Sequence, residues 1–264
     1  MPNRLPKKRI ISINVSNGTY KQFVSAIMHN ALAKISSYVC VANVHMLLEA
    51  YDSLEFRKVV NNAYLVTPDG MPVAKSFQIL HQQQQARVDG MSLLPALLDE
   101  SERNDLSVYF YGGTQEMLDK TAEYIQQNYP KLNISGLYSP PFRELTESEM
   151  DEIAVRISNS GTNIVFAVLG CPKQEKWMHS MKGKIPAIMI GIGGALPVLI
   201  GLQKRAPEWM QKNSLEWLYR LKQEPKRLFK RYLRTNSLFL YLLAKEQRKK
   251  QKRNNSRKKQ QKFT

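Results

Sequence analysis

A chain of 264 residues suits one large domain or a domain with an appendage, and 43% hydrophobic with 9% aromatic content excludes wholesale disorder. Its formal charge of +17 is unevenly placed: residues 1–202 hold 19 basic and 18 acidic residues, whereas 203–264 hold 20 and 4. A near-neutral body therefore carries a cationic segment, which points to a polyanionic partner, either nucleic acid or anionic lipid.

In chain order, runs rich in β-branched and aromatic residues predict strands over 9–15, 38–43, 63–67, 106–112, 133–139, 163–170 and 186–193. Segments of helical period fall between most of them, over 19–34, 45–62, 91–104, 114–129 and 147–160. This alternation predicts an α/β fold: a Rossmann-like, mainly parallel sheet with helices on both faces. The runs VFAVL and IMIGI read as strands buried on both sides, and the polar stretch 81–85 (HQQQQ) as a solvated loop.

The composition changes after Gly201. The sequence divides into an α/β body over 1–202, an amphipathic basic helical appendage over 203–246, broken near Pro225, and a disordered basic tail over 247–264. Arg220, Arg227, Arg231 and Arg234 share one face if the helix runs on, with Leu221, Leu228, Tyr232, Phe239 and Leu243 as apolar partners. The longest apolar run, 238–244, is far short of the roughly 20 residues that span a bilayer. No signal-peptide core follows the basic N-terminus, so contact with a membrane is expected from its surface.

Ligands of such sheets sit beyond the carboxyl ends of the strands, which singles out the strand-to-helix turns. Asp69 lies in Thr-Pro-Asp-Gly after a strand; Pro-Asp-Gly is a turn signature, and a carboxylate at that edge is also placed to act as a general base. Gly112 and Gly113 precede a helix whose first amides could hold a phosphate, although a plain turn has the same appearance. In GCPKQEKW, Pro172 suits the first helical position, and Lys173 and Gln174 would face the same edge as Asp69. Cys40 and Cys171 lack metal-ligand spacing, no base is paired with Cys171, and a reduced cytoplasmic chain is expected. None of the four histidines falls in a metal pattern and no acidic pair suits a divalent cation, so phosphate chemistry here leans on Arg, Lys and helix dipoles without metal or cofactor.

Taken together, the ordered motifs VxN (41–43), PDG (68–70), RVDG (87–90), GG (112–113), GCPKQE (170–175), GIGGAL (191–196), RAPEW (205–209) and EWLYRLxxEPxR (216–227) resemble the WecG/TagA/CpsF glycosyltransferase family, glycosyltransferase family 26. The resemblance covers about Val39 to Tyr232. It implies inverting, metal-independent transfer of an N-acetylmannosamine-type sugar or related hexose from a nucleotide-diphosphate sugar to a polyprenyl-diphosphate-linked acceptor, in bacterial surface polysaccharide or teichoic acid synthesis. It also implies a peripheral enzyme at the cytoplasmic face of the plasma membrane, with an appendage that helps close the site.

Carried over by position, the resemblance makes Asp69 the general base, with Asn43 and Gln174 binding the donor sugar or positioning the acceptor. Arg87, Arg205, Arg220, Arg227 and Lys230 or Arg231 would neutralise diphosphates. Two departures, Val41 where many members have Thr and Leu196-Pro197 where many have Asp, bear on the donor sugar. The alternative is a nucleic-acid-binding protein using the basic segment; the apolar residues within that segment favour lipid over specific nucleic acid. Assembly into homo-oligomers is left open.

Overall fold

The computed structural model describes residues 5–213 and 215–260. Its centre is a six-stranded parallel sheet in the order β4-β3-β8-β7-β5-β6, made of β3 (Ser37–Ala42), β4 (Leu65–Pro68), β5 (Ser107–Gly112), β6 (Asn133–Tyr138), β7 (Ile164–Val168) and β8 (Ile188–Gly191). The run at 9–15 is not one strand of this sheet. Ile11 takes a left-handed φ of 54°, and the chain reverses there into an antiparallel hairpin of β1 (Lys7–Ile10) and β2 (Ile13–Ser16). Ser16 Oγ accepts the Val66 amide at 3.1 Å, satisfying a donor on the edge strand β4.

Alternate residues of the central strands feed two cores. Tyr38, Cys40, Tyr109, Tyr111, Val165 and Ala167 face one side; Val39, Val41, Val108, Phe110, Ile164 and Phe166 face the other. The second core is closed by α1 (Tyr20–Leu32), α5 (Gly90–Arg103) and α6 (Gln115–Asn128). The first is closed by α2 (Val44–Asp52), α3 (Leu54–Asn62), α4 (Met71–His81), α7 (Glu147–Asn159) and α8 (Lys173–Met181). The helix expected over 45–62 is divided because Ser53 leaves helical geometry and caps α3, its Oγ accepting the Phe56 amide at 3.2 Å. Pro172 stands at the N-cap of α8 rather than inside it.

A 3-10 turn over Gly193–Ala195 and the short α9 (Leu196–Leu199) lead into the appendage: α10 (Glu208–Lys212), α11 (Glu216–Gln223) and α12 (Pro225–Gln260). The arginine face does not run on, because the helix breaks at Glu224 and Pro225, leaving Arg220 on a separate helix from Arg234. Phe239, Leu242 and Leu243 of α12 join the first core, so most of the apolar run at 238–244 is packed against the body rather than free for lipid. Phe229, Leu233, Leu240 and Tyr241 remain exposed on the outer side. Much of the tail expected to lack structure continues α12 to Gln260; Lys, Arg and Gln are good helix formers, and no Gly or Pro interrupts the run. Among the described residues no helix is long and apolar enough to cross a membrane.

Candidate active site

Parallel pairing of Ala42 with Pro68 sets the next residues of each strand, Asn43 and Asp69, side by side at the sheet's carboxyl edge. Here the strand order reverses, with β3 leading to β4 on one side while β8 lies on the other. A cavity of about 340 Å³ opens at this point, lined by Val41, Asn43, His45, Asp69, Arg87, Gly170, Cys171, Gln174 and Gly191–Ala195 of the body, and by Gln211, Glu216, Trp217, Arg220, Tyr232, Thr235 and Asn236 of the appendage.

Each body residue is held by local structure. Asn43 is the N-cap of α2, its Oδ1 accepting the Met46 amide at 3.2 Å. Asp69 donates its amide to Ala42 O at 3.0 Å, and Gly70 then takes a φ of 86° to start α4. Gln174 Oε1 accepts the Gly170 amide at 3.2 Å and its Nε2 donates to Glu175 Oε1 at 2.8 Å. Gln174 can lie over β8 only because residue 191 is glycine, where a Cβ would stand 2.8 Å from Gln174 Nε2.

The electrostatics are those of a carboxylate among competing charges. Burial, then Asp89 and Glu216, push the Asp69 carboxyl up to about 7, against Arg220 and Arg87, which lower it. Arg87 donates from Nε to Asp89 at 3.0 Å, from Nη1 to Glu216 at 2.8 Å and from Nη2 to Gln211 at 3.4 Å. Burial works to lower its pKa, but Asp89, Glu216 and Asp69 outweigh that and raise it. Asp89 caps α5 through the Ser92 amide at 3.2 Å and also accepts Arg205 Nη2 at 3.2 Å. Burial, followed by Glu175, raises the Cys171 thiol far above its ordinary range, which leaves it protonated and unsuited to nucleophilic attack. Among the described residues no three His, Cys, Asp or Glu side chains converge as a metal site.

The structure brings together Asn43, Asp69, Arg87, Gln174 and Arg220 from the residues singled out by sequence. Arg205 lines an adjoining cavity of about 100 Å³, which shares Glu216, Arg220 and Tyr232 with the first. Gly112 and Gly113 do not line the main cavity, since β5 lies beyond β7 from the reversal point. Their glycines are explained by backbone: φ is 104° and 79°, and a Cβ on Gly112 would stand 2.6 Å from Val168 O. Lys173 and Lys230 are exposed outside the lining, and the side chains of Arg227 and Arg231 lie outside the described residues. Sequence reasoning assigned no role to Glu175, Gln211 or Glu216; the first lies inside GCPKQE and the third opens EWLYRL, and those motifs were the available signal.

The profile of the Glycosyl transferase WecG/TagA/CpsF family matches residues 8–253. A Bacillus spizizenii protein named N-acetylglucosaminyldiphosphoundecaprenol N-acetyl-beta-D-mannosaminyltransferase is 31% identical over 192 residues, 72% of this chain and 73% of that protein. Proteins of the same name from Bacillus subtilis and Staphylococcus aureus are each 28% identical, covering 90% and 92% of this chain and 91% and 94% of their own lengths. With the family's profile spanning nearly the whole chain, and its motifs gathered around one cavity at the reversal of a parallel sheet, this protein belongs to the WecG/TagA/CpsF family of glycosyl transferases.

Proposed function

We propose that this glycosyl transferase moves an N-acetylmannosamine-type sugar or related hexose from a nucleotide-diphosphate donor to a polyprenyl-diphosphate-linked acceptor, inverting the anomeric centre without a metal. The names of the relatives, which specify an N-acetylmannosaminyl donor group and a diphosphoundecaprenol acceptor, support the substrate class. The observation that carries the chemistry is the placement of Asp69 at the cavity with Arg87 and Arg220 beside it.

Pushed up to about 7, the carboxyl is well matched to take a proton from an attacking hydroxyl near neutral pH. In the proposed step, Asp69 receives the acceptor hydroxyl proton as that oxygen bonds to the anomeric carbon. The bond to the donor's diphosphate breaks on the opposite face, which inverts the centre in one displacement. Negative charge gathers on the departing diphosphate, where Arg87 and Arg220 supply positive charge. Asn43 and Gln174 are assigned to hydrogen bonding of the sugar.

Peripheral binding at the cytoplasmic membrane face is part of the same reading. The exposed Phe229, Leu233 and Leu240 lie on one stripe of α12, flanked by exposed Lys226, Lys230 and Arg234. A specific nucleic-acid interface would not call for that apolar stripe. Replacement Asp69→Asn tests the catalytic assignment: transfer to a short lipid-diphosphate sugar should fall about 10²–10⁴-fold with the fold intact. Unchanged turnover would remove Asp69 from the role.

A further inference from the structure

Glu216 opens α11, and α11 has no buried residue. Its apolar side chains are only partly buried, with Trp217 edge-on to Tyr232 of α12, so polar contacts share in deciding where this helix sits over the cavity. Among the described residues, the shortest tie from α11 to the body is Glu216 Oε2 to Arg87 Nη1 at 2.8 Å, in a setting where the two side chains are only 20% and 11% exposed. The other oxygen of the same carboxylate lies 3.8 Å from Arg220 Nη2, one turn further along α11. One carboxylate is thus divided between a body arginine and an appendage arginine, both beside Asp69.

We infer that Glu216 is a positioning residue for the transfer reaction: it docks α11 over the cavity and offsets the two cations nearest Asp69, so that the appendage sets the protonation of the base. This rests on the reading of Asp69 as that base. Among the described side chains, those acting on Asp69 are Asp89 at the start of α5, Arg87 before it, and Glu216 and Arg220 from α11. His45 of α2, Cys171 before α8 and Tyr232 of α12 complete the titratable lining. Loss of the Glu216 charge removes a repulsion from Asp69 and also releases Arg87 and Arg220 to stabilise its ionised form. Both effects have the same sign and make Asp69 a weaker base. Loss of Arg220 has the opposite sign.

The experiment compares the acid limb of kcat/KM against pH in the full-length wild type, Glu216→Gln, Arg220→Gln and Asp69→Asn proteins. Glu216→Gln should move the limb to lower pH by roughly half a unit to one unit and lower the plateau several-fold. Arg220→Gln should move it to higher pH. Undocking of α11 alone would move both variants in the same direction, so shifts of like sign, or a limb that Glu216→Gln leaves in place, overturn the inference. If Glu216→Gln does not fold, the charge-retaining Glu216→Asp should keep the wild-type limb; a limb displaced by Glu216→Asp overturns it equally. Failure of the underlying reading has a separate signature, since Asp69→Asn would then retain both turnover and limb. Inorganic pyrophosphate titrated calorimetrically adds an independent measure: in Glu216→Gln the amide oxygen can still accept from Arg87 and hold α11 in place, so pyrophosphate should bind at least as tightly as to wild type, and weaker binding counts against the inference.

Discussion

The Gln174 amide donates to a carboxylate that has no exposure to water: Nε2 lies 2.8 Å from Glu175 Oε1, and Glu175 is 0% exposed. The other oxygen, Oε2, has no hydrogen-bond partner among the described residues. Burial is the main cause that pushes this carboxyl up to about 7, against the hydrogen bond from Gln174, which lowers it. The buried carboxylate fixes which way the Gln174 amide points and thereby presents Gln174 to the cavity.

A raised carboxyl pKa makes the folded state hold its proton where the unfolded chain has lost it. The contribution of Glu175 to stability is thus fully present below its ordinary value of 4.5 and is lost as pH rises through about 7. The thermal midpoint should fall between about pH 5 and 8, and Glu175→Gln should flatten that fall by an amount on the order of 2–3 kcal/mol. Calorimetric melts of both proteins across that range check it.

Gly112→Ala should cost roughly 2–3 kcal/mol through its left-handed backbone and the approach of Val168 O. Because the turn lies outside the cavity, pyrophosphate affinity should be unchanged. Urea unfolding beside a binding titration separates this turn from the phosphate cradle that its sequence suggests.

The two sides of α12 should respond in opposite ways. Phe239→Ala, which empties a position only 3% exposed, should destabilise the protein by about 3–5 kcal/mol. Replacing Phe229, Leu233 and Leu240 together by Ser should leave unfolding almost unmoved while weakening binding to vesicles rich in anionic lipid about tenfold or more. Co-sedimentation with vesicles, with single-stranded oligonucleotide as a competitor, measures the second effect and its specificity.

Much of the fold was legible because its strands are buried on both faces and interrupted by well-marked helices; β3, β5, β7 and β8 fall where the apolar runs predict them. Two errors came from single residues with local consequences, the left-handed Ile11 that turns one strand into a hairpin and Ser53 that divides one helix. Helix α4 leaves little mark in the sequence, as it starts after a glycine with no side-chain cap. At the site, Asn43, Asp69 and Gln174 could be placed from their positions at strand ends. Glu216 could not, since its partner Arg87 lies 129 residues away and only the return of the appendage across the sheet brings them together. Gly112 and Gly113 looked like Asp69's equals in sequence, because strand order within the sheet is invisible there.

The burial of Phe239, Leu242 and Leu243 against the first core also bears on how the protein is made. These side chains are among the last of the described core to leave the ribosome, whereas the helices they cover, α2 (Val44–Asp52) and α4 (Met71–His81), are synthesised far sooner. A nascent chain that has completed its whole sheet still presents a bare apolar strip. It also lacks Glu216 and Arg220 at the cavity until the final quarter arrives, so premature termination should yield an aggregation-prone body without transfer activity rather than a soluble, slower enzyme.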